Sequence, residues 1–184
     1  PGKSVPGINS KGNQKLLVFL VDFPDVPHGS GQTVSAASAK LNGPGDPAEY
    51  PFESVHGFYL RSSYNQLDLT SDIYGWYRAK HNRDYYTTNN SRAGNIAIIE
   101  EALDAYDSSV DYSQYDRNND GLIDGIYVFY TGPDHGWGNF WWYYKWDVWT
   151  SKTWDGVTPR EFAWQWYANP WSASGPFSSA RNPC

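Results

Sequence analysis

The sequence predicts an α+β fold, a mixed twisted sheet packed on one main helix and joined by long aromatic-rich loops. Three observations predict it. Leu16 to Val21 is an unbroken apolar run, the pattern of a strand covered on both faces. Leu67 to Tyr77 alternates apolar and polar residues over its first part, as a half-buried strand does. Ile96, Ile99, Leu103, Tyr106 and Val110 recur at steps of three and four, with Glu100, Glu101, Asp104 and Asp107 off that stripe. That is an amphipathic helix, expected over residues 92–109.

Taken in order, residues 1–14 are polar and rich in Gly, Pro, Ser and Asn, and read as a loose leader. A single domain is expected over 15–184, with no internal repeat and no clear linker. Lys15 to Asp22 is its first strand, ended by Pro24 and Pro27. Residues 28–50 show no periodicity and are expected to form a long surface loop. Phe52 to Tyr64 is predicted helical, with Phe52, Val55 and Tyr59 on one face and Gly57 weakening it. Asn90 or Ser91 is placed to cap the main helix. Gly125 to Tyr130 and Glu161 to Tyr167 supply two more strands. The sheet is therefore drawn from strands near residues 16, 68, 126 and 163.

Composition narrows the function. The 184 residues carry 20 acids against 14 bases, a formal charge of −6, so a phosphate-neutralising nucleic-acid surface is not expected. No run approaches the ~20 apolar residues of a membrane span. The chain starts at Pro1 and contains no methionine, which reads as a mature or trimmed chain from which any export signal has gone, and an extracellular protein is expected. Aromatic residues number 33, ample apolar surface for an ordered protein despite the many loops. The one cysteine, Cys184, excludes an intrachain disulfide framework and a multi-cysteine zinc site.

The strongest local signal is the stretch from Tyr115 to Asp124. Oxygen-bearing side chains fall at Asp116, Asn118, Asp120 and Asp124, Leu122 can offer its carbonyl, and Gly121 sits at the turn. These are positions one, three, five, nine and seven of an EF-hand-type loop, whose alternate residues curl oxygens around one Ca²⁺. Position twelve is Tyr127 instead of glutamate, and a strand follows where an EF-hand has a helix. The plain alternative is a solvated Asx-rich turn before that strand.

Other chemistry is sparse. His28, His56, His81 and His135 are scattered, without the i, i+4 pair of a helical zinc site. There is no G-x-S-x-G nucleophile turn, and the glycines of 132–138 follow a strand with no helix behind them. No pair of carboxylates stands out for glycoside hydrolysis. Nine of the ten tryptophans lie beyond residue 136. They suit stacking on sugar rings, gripping an extended peptide, or filling a core in a segment poor in aliphatics; the last is expected for most of them. Asn89 opens the only N-glycosylation sequon.

Several segments together resemble the immune inhibitor A-like secreted metallopeptidases, a zincin family. They are Leu20 to Asp25; Ser54 to Tyr64 with Leu67 to Thr70 and Tyr74 to Tyr77, where Asn65 replaces the usual glycine; the helix at 92–109; Tyr115 to Gly121 with Asp124 to Tyr130; and Gly132-Pro133 with the tryptophan-rich sequel. Their order is kept over residues 15–170. The resemblance implies a zincin-like N-terminal half and a zinc held by an HExxH helix, its glutamate the general base. This sequence holds no HExxH. Catalytic residues are therefore not assigned, Zn²⁺ is not expected in this chain, and Ca²⁺ is the expected cofactor. The leading expectation is an exported relative of zinc metallopeptidases, a portion of a peptidase domain or an inactive descendant. The alternatives are a secreted module binding polysaccharide or protein through its aromatic residues, and a structural protein assembling through them.

Overall fold

The computed structural model describes residues 7–46, 53–88 and 91–168. Its centre is β1 (Gly12–Asp22), flanked by β2 (Leu67–Arg78) and β4 (Ile126–Tyr130), with β7 (Glu161–Trp166) beyond β4 and β5 (Tyr144–Asp147) at the far edge. The order is β2-β1-β4-β7-β5; the first four strands run parallel and β5 is antiparallel to β7. A second, two-stranded parallel sheet joins β3 (Leu122–Ile123) to β6 (Thr158–Pro159). The mixed α+β architecture is as expected, and the four strands foreseen in the sequence are consecutive in the main sheet.

β1 explains why its run is continuously apolar. Leu17, Phe19 and Val21 face one core with Ile98, Ile99, Ala102 and Leu103 of α4 (Ser91–Tyr106). Leu16, Val18 and Leu20 face a second core with Leu67 and Leu69. Both faces are covered, so alternation has no polar side to show. β1 also begins three residues earlier than the sequence reading has it: Gly12, Asn13 and Gln14 pair with Leu67, Asp68 and Leu69. Part of the stretch assigned to a leader is thus strand, because its partner β2 extends that far.

The surface loop expected over 28–50 needs correction, since it contains α1 (Val34–Asn42). Thr33 caps this helix, its side chain accepting from Ala36 N at 3.0 Å. Only Ala37 and Leu41 are buried, one i, i+4 pair, too short a stripe to register as a period. The helix foreseen at 52–64 is α2 (Val55–Ser62), capped by Ser54 through a 3.0 Å bond from Gly57 N. Its face is weak: Tyr59 is 43% exposed, and Phe52 lies outside the described residues. On α4 the buried apolar set is Ile98, Ile99, Ala102 and Leu103, with Ile96 and Tyr106 only partly covered, so the stripe is turned from the expected one. Asn90 and the Asn89 sequon lie outside the described residues.

A short helix, α3 (Tyr85–Thr88), crosses α4 at Gly94. A Cβ there would stand 2.0 Å from the Tyr86 carbonyl oxygen, a contact that backbone must move to relieve. Gly94→Ala should therefore destabilise the fold by about 2–3 kcal/mol despite alanine's higher helix propensity. Urea unfolding checks this, and an unchanged midpoint would show that α3 yields freely.

Candidate metal centre

The loop before β3 starts from a buried anchor. Tyr112–Tyr115 forms a 3-10 turn with both tyrosines buried. The Tyr115 hydroxyl donates to Asp72 Oδ2 at 3.0 Å, and Lys15 Nζ pairs with the same oxygen at 3.1 Å. Burial, helped by the Tyr74 hydroxyl and the Asp72 charge, pushes the Tyr115 phenol far above its ordinary range. It is a neutral donor that ties the turn to β2.

From Asp116 onward the chain folds around its own side-chain oxygens. Asp116 Oδ1 accepts from Asp120 N at 3.0 Å and its Oδ2 from Gly121 N at 2.8 Å. Asn118 Oδ1 accepts from Asp120 N, and Asp120 Oδ1 from Leu122 N, both at 3.0 Å. Asp124 Oδ2 accepts from Arg117 N at 2.8 Å, while Asp124 N donates to Tyr115 O at 2.9 Å. Asn119 (φ 58°) and Gly121 (φ 83°) take the left-handed conformation, which asparagine and glycine tolerate best. Thr158 N donates to Gly121 O at 3.0 Å and locks the loop to β6.

The result is that Asp116, Asp120 and Asp124 each bring one carboxylate oxygen within 4.8 Å of the others. Charges at that spacing repel by roughly 1–3 kcal/mol per pair at effective dielectrics of ~80 down to ~20. Asp124 is 2% exposed and its Oδ1 is buried without a hydrogen-bond partner. Burial first, then the Asp116 and Asp120 charges, push its carboxyl up to about 6, against the Arg117 N–H that favours ionisation. A cation at the centre would satisfy Oδ1 and relieve the repulsion together. The oxygens are hard donors, the set that suits Ca²⁺ or Mg²⁺ and not zinc.

Among the residues singled out from sequence, the structure gathers the three aspartates. Asn118 lies in the same loop with Nδ2 buried and unpartnered, and its Oδ1 keeps a second lone pair. Leu122 opens β3. Tyr127, at position twelve, points elsewhere: its hydroxyl donates to Gln165 Oε1 on β7. Sequence reasoning missed what holds the loop, namely Tyr115 O, Arg117 N and the Asp155 carboxylate that accepts from Tyr112 N at 2.8 Å. Two of these are backbone groups, and no residue pattern marks them.

The histidines stay apart. His28 Nδ1 lies 2.6 Å from Asp22 Oδ2, His56 Nε2 3.0 Å from Asp68 Oδ1, His81 stacks on Tyr85, and His135 Nε2 accepts from Arg83. The tryptophans divide more evenly than expected. Trp141, Trp154, Trp164 and Trp166 are buried and Trp142 partly so, but Trp137, Trp146 and Trp149 are 89%, 46% and 62% exposed; Trp171 lies outside the described residues.

No protein-family model matches the chain. It is similar to the pre-pro-metalloprotease PrtV of Vibrio cholerae serotype O1, in strain M66-2 and in strain ATCC 39315 / El Tor Inaba N16961. Identity is 26% over 159 residues, covering 67% of this chain and 17% of the relative. The chain thus spans about a sixth of the length of the relatives it matches, and the kinship to metalloproteases is distant. Among the described residues no helix is long and apolar enough to cross a membrane.

Proposed function

We propose that this chain is an exported relative of the zinc metallopeptidases in which Asp116, Asn118, Asp120, the Leu122 carbonyl and Asp124 hold one structural Ca²⁺, and which carries no catalytic zinc site of its own. The observation that carries the calcium reading is the convergence of three carboxylates, one of them the buried Asp124, whose Oδ1 has no hydrogen-bond partner. Kinship to metallopeptidases rests on the distant similarity to PrtV and, more finely, on the resemblance over residues 15–170 to the immune inhibitor A-like zincins. Bound calcium would brace the turn between the Tyr112–Tyr115 anchor and β4, at the middle of the main sheet. The absence of HExxH in the 184 residues leaves no paired histidines to activate water. The chain alone should therefore show no chelator-sensitive casein hydrolysis and no stoichiometric zinc. One zinc per chain by metal analysis, with proteolysis that a chelator stops, would overturn this.

A second reading has an observation of its own. Trp137, Tyr143 and Trp146 stand exposed around one cleft, which favours a non-catalytic module that binds polysaccharide or protein.

A further inference from the structure

The cleft encloses about 580 Å³ between the start of α4 and the segment 137–146, within the range of small-ligand sites. Its rim carries Trp137 at 89% exposure, Tyr143 at 54% and Trp146 at 46%. Its inner wall is fixed: the Trp142 ring lies 5.0 Å from Tyr143 and 5.5 Å from Trp166, and Tyr144 packs edge-on to Phe162 at 6.1 Å.

At the base lies Asn95, 3% exposed, whose Nδ2 is buried with no hydrogen-bond partner. Burial pushes the Tyr144 phenol up to about 12, against the neighbouring Asn95 side chain, which favours its ionised form. Tyr144 is therefore neutral and has an O–H to donate. An unsatisfied buried amide costs ~1–3 kcal/mol, and its place in this cleft asks for an acceptor from outside.

Among the described residues no Asp, Glu, Lys or Arg lines the cleft, so they offer no counter-charge to an ionic ligand. An apolar side chain would fill the volume but leave Asn95 Nδ2 without an acceptor. A pyranose ring meets both conditions. Its C–H face stacks on aromatic rings, as their electron-rich faces favour, and its hydroxyls accept from amide and phenol donors at the edge.

We propose that this cleft binds a neutral pyranose unit of a polysaccharide, stacked on the exposed rings of Trp137 and Tyr143 and hydrogen-bonded by Asn95. This deepens the binding-module reading and is independent of the calcium loop. The test is a fluorescence titration of the full chain with neutral oligosaccharides of glucose, mannose, xylose and N-acetylglucosamine. Oligogalacturonate is the charged control, and a neutral peptide with aromatic side chains is a third arm. At least one neutral sugar should bind saturably and oligogalacturonate should not. Trp137→Ala should weaken sugar binding about tenfold with the melting temperature unchanged, since that side chain is almost fully exposed. Absence of neutral-sugar binding, or binding indifferent to Trp137→Ala, overturns the proposal. Peptide binding that depends on Trp137, without sugar binding, overturns the pyranose and leaves the binding module standing. If neither ligand binds, both fall.

Discussion

Trp141→Ala should cost the fold about 4–5 kcal/mol, the upper end for a truncated core tryptophan. The ring is 1% exposed and lies 4.7 Å from Phe140, 4.9 Å from Tyr130, 5.4 Å from Phe23 and 5.6 Å from Trp164. It joins the edge segment to the loop after β1 and to β4 and β7. It also covers a buried cation, since the Arg83 guanidinium sits 3.9 Å above its face. Arg83 is 4% exposed with Nε unpartnered, and burial pushes its pKa down to about 10. Removing the indole takes away both packing and the cation–π contact. Urea unfolding measures the loss; Trp141→Phe, which keeps a ring, should forfeit distinctly less. A loss under 1 kcal/mol for the alanine variant would mean that this cluster does not hold the domain together.

Calcium should raise the melting temperature, and the effect should grow with pH. At a hundredfold excess over the dissociation constant, binding adds ~2.7 kcal/mol, about 5–10 °C for a domain of this size. Without glutamate at position twelve, the affinity should be near the ~10⁻⁴ to 10⁻³ M of extracellular modules. In chelator the sign follows from Asp124. Its carboxyl is raised from 3.8 to about 6 in the folded chain, so the folded state holds a proton that the unfolded state releases. That favours folding below pH ~4, and the advantage fades as pH rises through about 6, by roughly 2–3 kcal/mol. Calcium, which needs the ionised carboxylate, should abolish this decline. Asp124→Asn keeps an oxygen for Arg117 N and should flatten the chelator profile. Melting curves from pH 4 to 8, with millimolar calcium and with chelator, check both halves. A chelator profile that rises from pH 4 to 6 would contradict this role of Asp124.

What was legible in the sequence follows from how each signal is written. β1 shows itself because both faces are buried and every residue from Leu16 to Val21 must be apolar. The acidic loop shows itself because Asp116, Asn118, Asp120 and Asp124 fall at alternate positions of one short stretch. α1 does not, since two buried residues in nine make no period. The α4 stripe was found in place but rotated: Ile98 and Ala102 are buried by strands from distant parts of the chain, which local spacing cannot weigh. Burial of tryptophan is equally a tertiary matter. Trp141 and Trp137 lie four residues apart in the same aromatic run, yet one is 1% and the other 89% exposed. Asn95 reads as an ordinary polar helix residue, and only the cleft beside it gives its amide a meaning.

The proposed function turns on one ion in one loop, and isothermal titration of the chelator-stripped chain with Ca²⁺ addresses that directly. It predicts a saturable heat with one site per chain, lost in Asp120→Asn, whose folded state remains intact by circular dichroism. No saturable heat up to 10⁻² M calcium, tenfold above the weakest affinity expected of such loops (~10⁻³ M), or the same single site in the variant, would contradict it.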